Sequence, residues 1–253
     1  MLTKLISQFL YFRPRLEAAL SELDKRRLKL PLISLELLFN DFSRRPIFFH
    51  ELPIGPWSTP LIDVATLLKI ALCANVKTVM ELGSYRGATA LALARHLDPS
   101  TRIITVDSDP RHGDLYRDGP FASRIERRVA PAESVAFVDD APGSIDLLFL
   151  DADHSYAAVK SDTELLLNLI SDNGYIVWHD YANFGKFSGK NGVPEYLHEL
   201  SRQIPLAWIT GTWLAIHSPA WKSEPGAAAY RNAIVKDENI PFADPWASAA
   251  LRG

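Results

Sequence analysis

Two short stretches place acids and imidazoles where they could do chemistry. Asp146-Leu147-Leu148-Phe149-Leu150-Asp151-Ala152-Asp153-His154-Ser155-Tyr156 is an apolar run that ends on three ionisable groups. Ile176-Val177-Trp178-His179-Asp180-Tyr181 ends on two more. If each apolar run is a buried strand, these groups sit just past the strand ends, where ligands bind in open α/β sheets. Carboxylate oxygens from Asp151 and Asp180, joined by His179, could hold Mg²⁺ or another divalent cation. A neighbouring imidazole, His154 or His179, could take a proton from a hydroxyl near neutral pH. The blander reading is that Asp153 and His154 cap a following helix and His179 packs internally. Four such groups at two consecutive strand ends favour a site.

A third stretch supplies a turn for a ligand. Val79-Met80-Glu81-Leu82-Gly83-Ser84-Tyr85-Arg86-Gly87-Ala88-Thr89 leads from an apolar run into a helix. Gly83 lets the backbone turn sharply, and Gly87 lets helix and ligand come close. The spacing is G-x-x-x-G, not the G-x-G-x-x-G that cradles a dinucleotide pyrophosphate. Glu81, just before the turn, is an acid that can meet a cationic ligand. Ile103-Ile104-Thr105-Val106-Asp107 follows about twenty residues on, and an acid at that strand end can accept both hydroxyls of a ribose. The alternative for Asp107 is a turn or helix-capping role.

These groups need a scaffold, and the apolar pattern supplies one. Residues 61–74 read as a helix from Leu61, Ile62, Ala65, Leu68 and Ala71. Strands are predicted at 77–82, 102–106, 125–129, 145–150, 175–178, 206–210 and 213–217. Helices are predicted at 87–97, near 131–138, at 155–170 and at 193–202. Asp172-Asn173-Gly174 is read as a turn before the fifth strand, and Gly211-Thr212 as the turn of a closing hairpin. Seven strands alternating with helices imply an α/β, doubly wound, mostly parallel sheet with an antiparallel last strand. The chain divides into an extension at 1–60, a main domain at 61–217 and a tail at 218–253 packed upon it. The extension is helical and irregular. Its first helix, with Leu2, Leu5, Ile6, Phe9 and Leu10 on one face, is read as packing on the domain, as a dimer contact or as a lid.

Composition narrows the class. The 253 residues carry 27 basic and 30 acidic side chains and a net charge of −3. This is no footprint for nucleic acid. No apolar run reaches the roughly 18 residues that span a membrane, and the N-terminus does not read as a signal peptide. A single cysteine, Cys73, forbids an intrachain disulfide and fits a reducing, cytoplasmic setting.

Together the motifs between about 61 and 217 resemble class I S-adenosylmethionine (SAM)-dependent methyltransferases. Phe149 to Tyr156 followed by His179-Asp180-Tyr181 resembles their small-molecule O-methyltransferase branch, which often uses a divalent metal. The resemblance implies a Rossmann-like sheet with N-terminal helices and SAM as cofactor. It implies a small-molecule acceptor such as a sugar, a phenol or a natural product. It places the methionine part of SAM on Gly83, Ser84, Tyr85 and Gly87, with Glu81 beside it, and the ribose on Asp107 and Ser108. Ala132 and Asp153 complete the expected cofactor set. It assigns metal binding to Asp151, His179 and Asp180, and the base to His154. The sequence departs from the family in two places. His179-Asp180 stands where catechol-type enzymes carry Asp-Asn. Ala130-Pro131-Ala132-Glu133 stands where a Gly-Asp-Ala turn is expected. Other readings remain open: a metal-free O- or N-methyltransferase, a nicotinamide oxidoreductase, or a non-catalytic SAM-fold binding protein.

Overall fold

Among the described residues, eight strands form one sheet in the order β1-β7-β8-β6-β5-β2-β3-β4. They are β1 (Leu32–Ile33), β2 (Thr78–Leu82), β3 (Arg102–Asp107), β4 (Ile125–Val129), β5 (Ile145–Leu150), β6 (Ile170–Trp178), β7 (Ala207–Ile209) and β8 (Ala215–His217). The structure, a computed structural model, describes residues 28–48, 55, 58–130, 140–183 and 192–235. Only β8 runs against its neighbours, pairing antiparallel with both β6 and β7. The expected α/β architecture with an antiparallel last strand is therefore present.

Two details differ from the expectation of seven strands. β1 is an eighth, paired in parallel with β7 through Leu32–Trp208 and Ile33–Ile209. A two-residue strand is too short to show alternation, and its partner lies far along the chain, so no local pattern reveals it. β6 starts at Ile170 rather than Tyr175. The Asp172-Asn173-Gly174 turn is a bulge inside it, where the register with β5 shifts between Ile145–Ile170 and Leu147–Tyr175. The expected first helix, the helix near 131–138, the tail beyond 235 and the loop 184–191 lie outside the described residues.

Both faces of the sheet are covered, which is why its strands read as unbroken apolar runs. Val79, Ile103, Leu147, Phe149, Val177 and Ile216 point to one face. Their neighbours Met80, Ile104, Leu148, Ile176 and Ala215 point to the other. On the first face lie α1 (Leu61–Cys73) and α2 (Ala88–His96), and on the second α3 (Tyr156–Leu166) and α4 (Val193–Leu200). α2, Ala-Thr-Ala-Leu-Ala-Leu-Ala-Arg-His, has high intrinsic helix propensity, and its small side chains let it lie close to the strands. α3 begins at Ser155, whose hydroxyl accepts from Ala158 N at 3.3 Å. A last helix, α5 (Gly226–Ala233), returns the chain to the edge, where Val235 N donates to Leu32 O at 2.9 Å. Residues 28–48 and 218–235 thus flank β1 and pack into the same sheet.

The strand order fixes the site. From β2 the chain moves outward through β3 to β4, then returns to β5 on the other side of β2. The C-terminal ends of β2 and β5 are therefore the point where the winding reverses and a crevice opens. Gly83 follows β2 there, Asp151 follows β5, and His179 follows β6.

Candidate functional site

Three backbone hydrogen bonds extend the ladder one residue beyond the strands and set the site's register. Gly83 N donates to Val106 O, Asp151 N to Leu82 O and His179 N to Leu150 O, at 2.9, 2.9 and 3.0 Å. The turn after β2 needs glycine. Gly83 has φ +90°, and a Cβ there would lie 2.2 Å from the Asp151 carbonyl oxygen. Gly87 has φ +86°, and a Cβ would lie 2.4 Å from the Tyr116 ring. Tyr85 between them is also left-handed, at φ +42°.

Asp107 organises this turn. Its Oδ2 accepts from Ser84 N at 3.1 Å and Tyr85 N at 2.9 Å, and its Oδ1 accepts from Asp109 N at 2.9 Å. His112 Nδ1 lies 2.9 Å from the same Oδ2. Burial pushes the Asp107 carboxyl up, but these donors outweigh it and hold it below the ordinary value. Ser84 is buried, whereas Tyr85 and Ser108 are exposed at the rim. Glu81 is 2% exposed and accepts from Thr105 Oγ1 at 2.8 Å. Burial is the main reason its carboxyl is raised to about 8.

The acids and imidazoles of β5 and β6 converge. One donor atom from each of Asp151, His154, His179 and Asp180 lies within 4.8 Å of the others. His154 Nε2 is 2.5 Å from Asp180 Oδ2 and 3.5 Å from Asp151 Oδ1. His179 Nδ1 is 3.1 Å from Asp151 Oδ1 and 3.2 Å from Asp180 Oδ1. Asp180 reaches over the cluster because its backbone turns left-handed, at φ +59°, a conformation Asp tolerates better than most residues. Asn183 Nδ2 donates to Asp180 Oδ1 at 2.7 Å and steadies it.

Charge in this cluster is balanced between partners. Burial would lower the His154 imidazole, yet Asp151 and Asp180 outweigh it and raise it to about 9. His179 is raised well above its ordinary value by the same carboxylates against its burial. Burial would push Asp151 and Asp180 up, but the imidazoles hold both below the usual carboxylate range.

The placement separates the candidates. Asp151, His154, His179 and Asp180 come together, beside the Gly83 turn. Asp153 does not join them: it is exposed, and its Oδ1 accepts from Ser155 N at 2.7 Å. Helix capping falls to Ser155. Ala132 lies outside the described residues. Three site groups escape a sequence reading. Thr59 donates to Asp151 Oδ2 at 3.1 Å, and His112 pairs with Asp107. Asp63, in the first turn of α1 and 1% exposed, lies with its Oδ2 3.1 Å from His179 Nε2. In sequence Asp63 reads as an ordinary acid at a helix N-terminus. Nothing local tells that it is buried against a residue 116 positions away.

Residues 80–181, from β2 to just past β6, match the family model described as a methyltransferase domain. This match agrees with the resemblance to methyltransferases read from the motifs. The catechol O-methyltransferase of Niastella koreensis is 30% identical over 91 residues, 33% of this chain and 41% of that protein. The O-methyltransferase TomG of Streptomyces achromogenes, involved in tomaymycin synthesis and solved with SAM, superposes with a TM-score of 0.53. It is 17% identical and covers 72% of this chain and 88% of its own. The Bacillus cereus O-methyltransferase, solved with SAH, gives 0.51 at 16% identity, covering 70% and 86%. At these identities the structures share the fold. The chain spans about half or less of the curated relatives it matches, from 29% to 53% of their lengths. Among the described residues no helix is long and apolar enough to cross a membrane.

Proposed function

We propose that this chain transfers the methyl group of SAM to a hydroxyl of a small molecule, a sugar, a phenol or a natural product, with a divalent cation at Asp151, His179 and Asp180. The observation that carries this reading is the convergence of these groups with His154 beside the Gly83 turn. The residues fit a cation: the half-buried carboxylate of Asp151 and the buried one of Asp180 face each other across His179 Nδ1, a buried atom that makes no hydrogen bond.

SAM supplies a methyl group made electrophilic by its sulfonium, and a bound cation supplies positive charge that acidifies the acceptor hydroxyl and fixes its position. The chain's own residues do the rest. The backbone at Gly83 to Gly87 holds the methionine end, with Glu81 behind it, and Asp107 and Ser108 lie where the ribose would rest. In-line transfer needs the acceptor oxygen about 3 Å from the methyl. His154 is the base: its imidazole is 27% exposed at the mouth of the cluster, whereas that of His179 is 6% exposed and buried behind, and with the Asp151 and Asp180 carboxylates drawn to a cation it would be free to take the acceptor's proton. One observation favours a second reading, a cation-free O- or N-methyltransferase. The His154–Asp180 pair, 2.5 Å apart, already forms an oriented acid–base dyad.

The test is calorimetric titration with SAM, with and without Mg²⁺ and EDTA, followed by methyl transfer to a panel of acceptors. Micromolar SAM binding and EDTA-sensitive turnover support the first reading. EDTA-insensitive turnover supports the second, and no SAM binding by folded protein refutes both. The same proposal places the protein in the cytoplasm and divides the chain at 60 and 217. A homodimer through the N-terminal apolar residues remains part of it, to be tested by the mass in solution.

A further inference from the structure

We infer that the cluster takes a transition metal in preference to Mg²⁺, through His179 Nδ1, and that Asp63 is the positioning residue that turns this nitrogen toward the ion. The inference rests on the metal-assisted reading above and goes beyond it in naming the class of ion and the group that selects it.

Three observations carry it. First, His179 Nδ1 is buried and makes no hydrogen bond, although carboxylate oxygens of Asp151 and Asp180 lie 3.1 and 3.2 Å away. A nitrogen in that position is a ligand atom waiting between two oxygens. Second, the opposite ring nitrogen is engaged. His179 Nε2 lies 3.1 Å from Asp63 Oδ2, and a carboxylate can only accept, so Nε2 keeps its hydrogen, and the proton that a cation would displace on binding is the one on Nδ1, between Asp151 and Asp180. A carboxylate behind a histidine is the usual device for fixing the tautomer of a metal ligand and raising its basicity. Third, Asp63 cannot swing away. It is 1% exposed, and its Oδ1 accepts from Trp213 N at 3.2 Å. The imidazole is also held between Phe149 and Trp213, with ring centroids 6.1 and 5.9 Å away. An imidazole fixed this firmly favours Mn²⁺, Fe²⁺ or Zn²⁺ over Mg²⁺, which prefers oxygen and retains its water.

The experiment uses the full chain and three probes, Mg²⁺, Mn²⁺ and Zn²⁺, titrated by calorimetry into wild type and Asp63→Asn. Asparagine keeps an oxygen for Trp213 N but turns its amide hydrogens to Nε2, which favours the wrong tautomer. The expected result is binding of Mn²⁺ and Zn²⁺ more than about tenfold tighter than Mg²⁺. Asp63→Asn should weaken Zn²⁺ by about 10- to 100-fold while SAM affinity, a check on folding, is retained. Long-range ¹H–¹⁵N spectra of Zn²⁺-loaded wild type test the same point without a variant, and should show Nε2 protonated and Nδ1 shifted by the metal. Equal affinity for Mg²⁺ and Mn²⁺ overturns the choice of ion. Unchanged Zn²⁺ affinity in Asp63→Asn, or an unshifted Nδ1, overturns the role of Asp63. Wild type that binds SAM but none of the three ions overturns the metal-assisted reading itself.

Discussion

Replacing Glu81 by Gln should stabilise the protein at alkaline pH and leave it nearly unchanged in acid. Glu81 is 2% exposed on β2, and its carboxyl accepts from Thr105 Oγ1 at 2.8 Å. Burial raises its carboxyl from 4.5 to about 8. Between those values the unfolded chain has lost this proton and the folded chain still holds it. Stability therefore falls as pH rises, by about 1.4 kcal/mol per pH unit, and levels off above 8. Glutamine is isosteric, accepts the same Thr105 hydrogen bond and does not titrate. From pH 5 to 8 the advantage of Glu81→Gln over wild type should grow by about 3.5 kcal/mol. Urea unfolding of both proteins at each pH, extrapolated linearly with equal m values, measures it. The raised imidazoles of His154 and His179 also make wild type lose stability as pH climbs through the folded value, so the difference between the two proteins isolates Glu81. A difference that stays flat within about 0.5 kcal/mol would mean that Glu81 is ionised in the folded protein, and the burial argument would fall. The same proton should matter to the cofactor: a cationic ligand beside Glu81 favours its ionised form, so SAM binding at pH 6.5 should release protons, read from calorimetry in buffers of different ionisation heat.

Other substitutions probe the remaining links. Gly83→Ala forces an L-residue to φ +90° and sets a methyl against the Asp151 carbonyl. It should cost at least about 1–2 kcal/mol and abolish SAM binding, measured by melting and calorimetry. Thr163→Val removes the acceptor of the buried Trp178 Nε1 hydrogen bond, 2.9 Å long, and should cost about 1–3 kcal/mol in urea unfolding. Asp151→Ala and Asp180→Ala should each reduce methyl transfer to a known acceptor by at least about 100-fold while SAM binding survives. Full activity in both would end the metal-assisted proposal.

Much of the scaffold is legible in the chain because it rests on local pattern. The runs at β2, β3, β5 and the end of β6 are apolar and bounded by turn residues, and helix periodicity marks α1, α2 and α3. A β-to-α alternation leaves few topologies once crossovers are right-handed. The turn at Gly83 and the acids after β5 and β6 follow directly, because they sit at the ends of those runs. A single cysteine excludes an intrachain disulfide without any structure.

What the chain could not declare is who meets whom. β1 is two residues long, and its pairing with β7 is settled by a sheet edge that exists only once the core has assembled. Asp153 and His154 are adjacent and similarly ionisable, yet the start of α3 turns one outward to accept from Ser155 N and the other inward to Asp180. Asp107 is an acid at a strand end in either view. That its carboxylate gathers the Ser84 and Tyr85 amides depends on how the glycine turn folds back over β3. Asp63 is the clearest case. It is one carboxylate at the start of an apolar helix, and only the packing of that helix against β6 brings it behind His179. Burial then gives it its meaning, because a carboxylate removed from water must find a donor, and the donor it finds is the ring that faces Asp151 and Asp180.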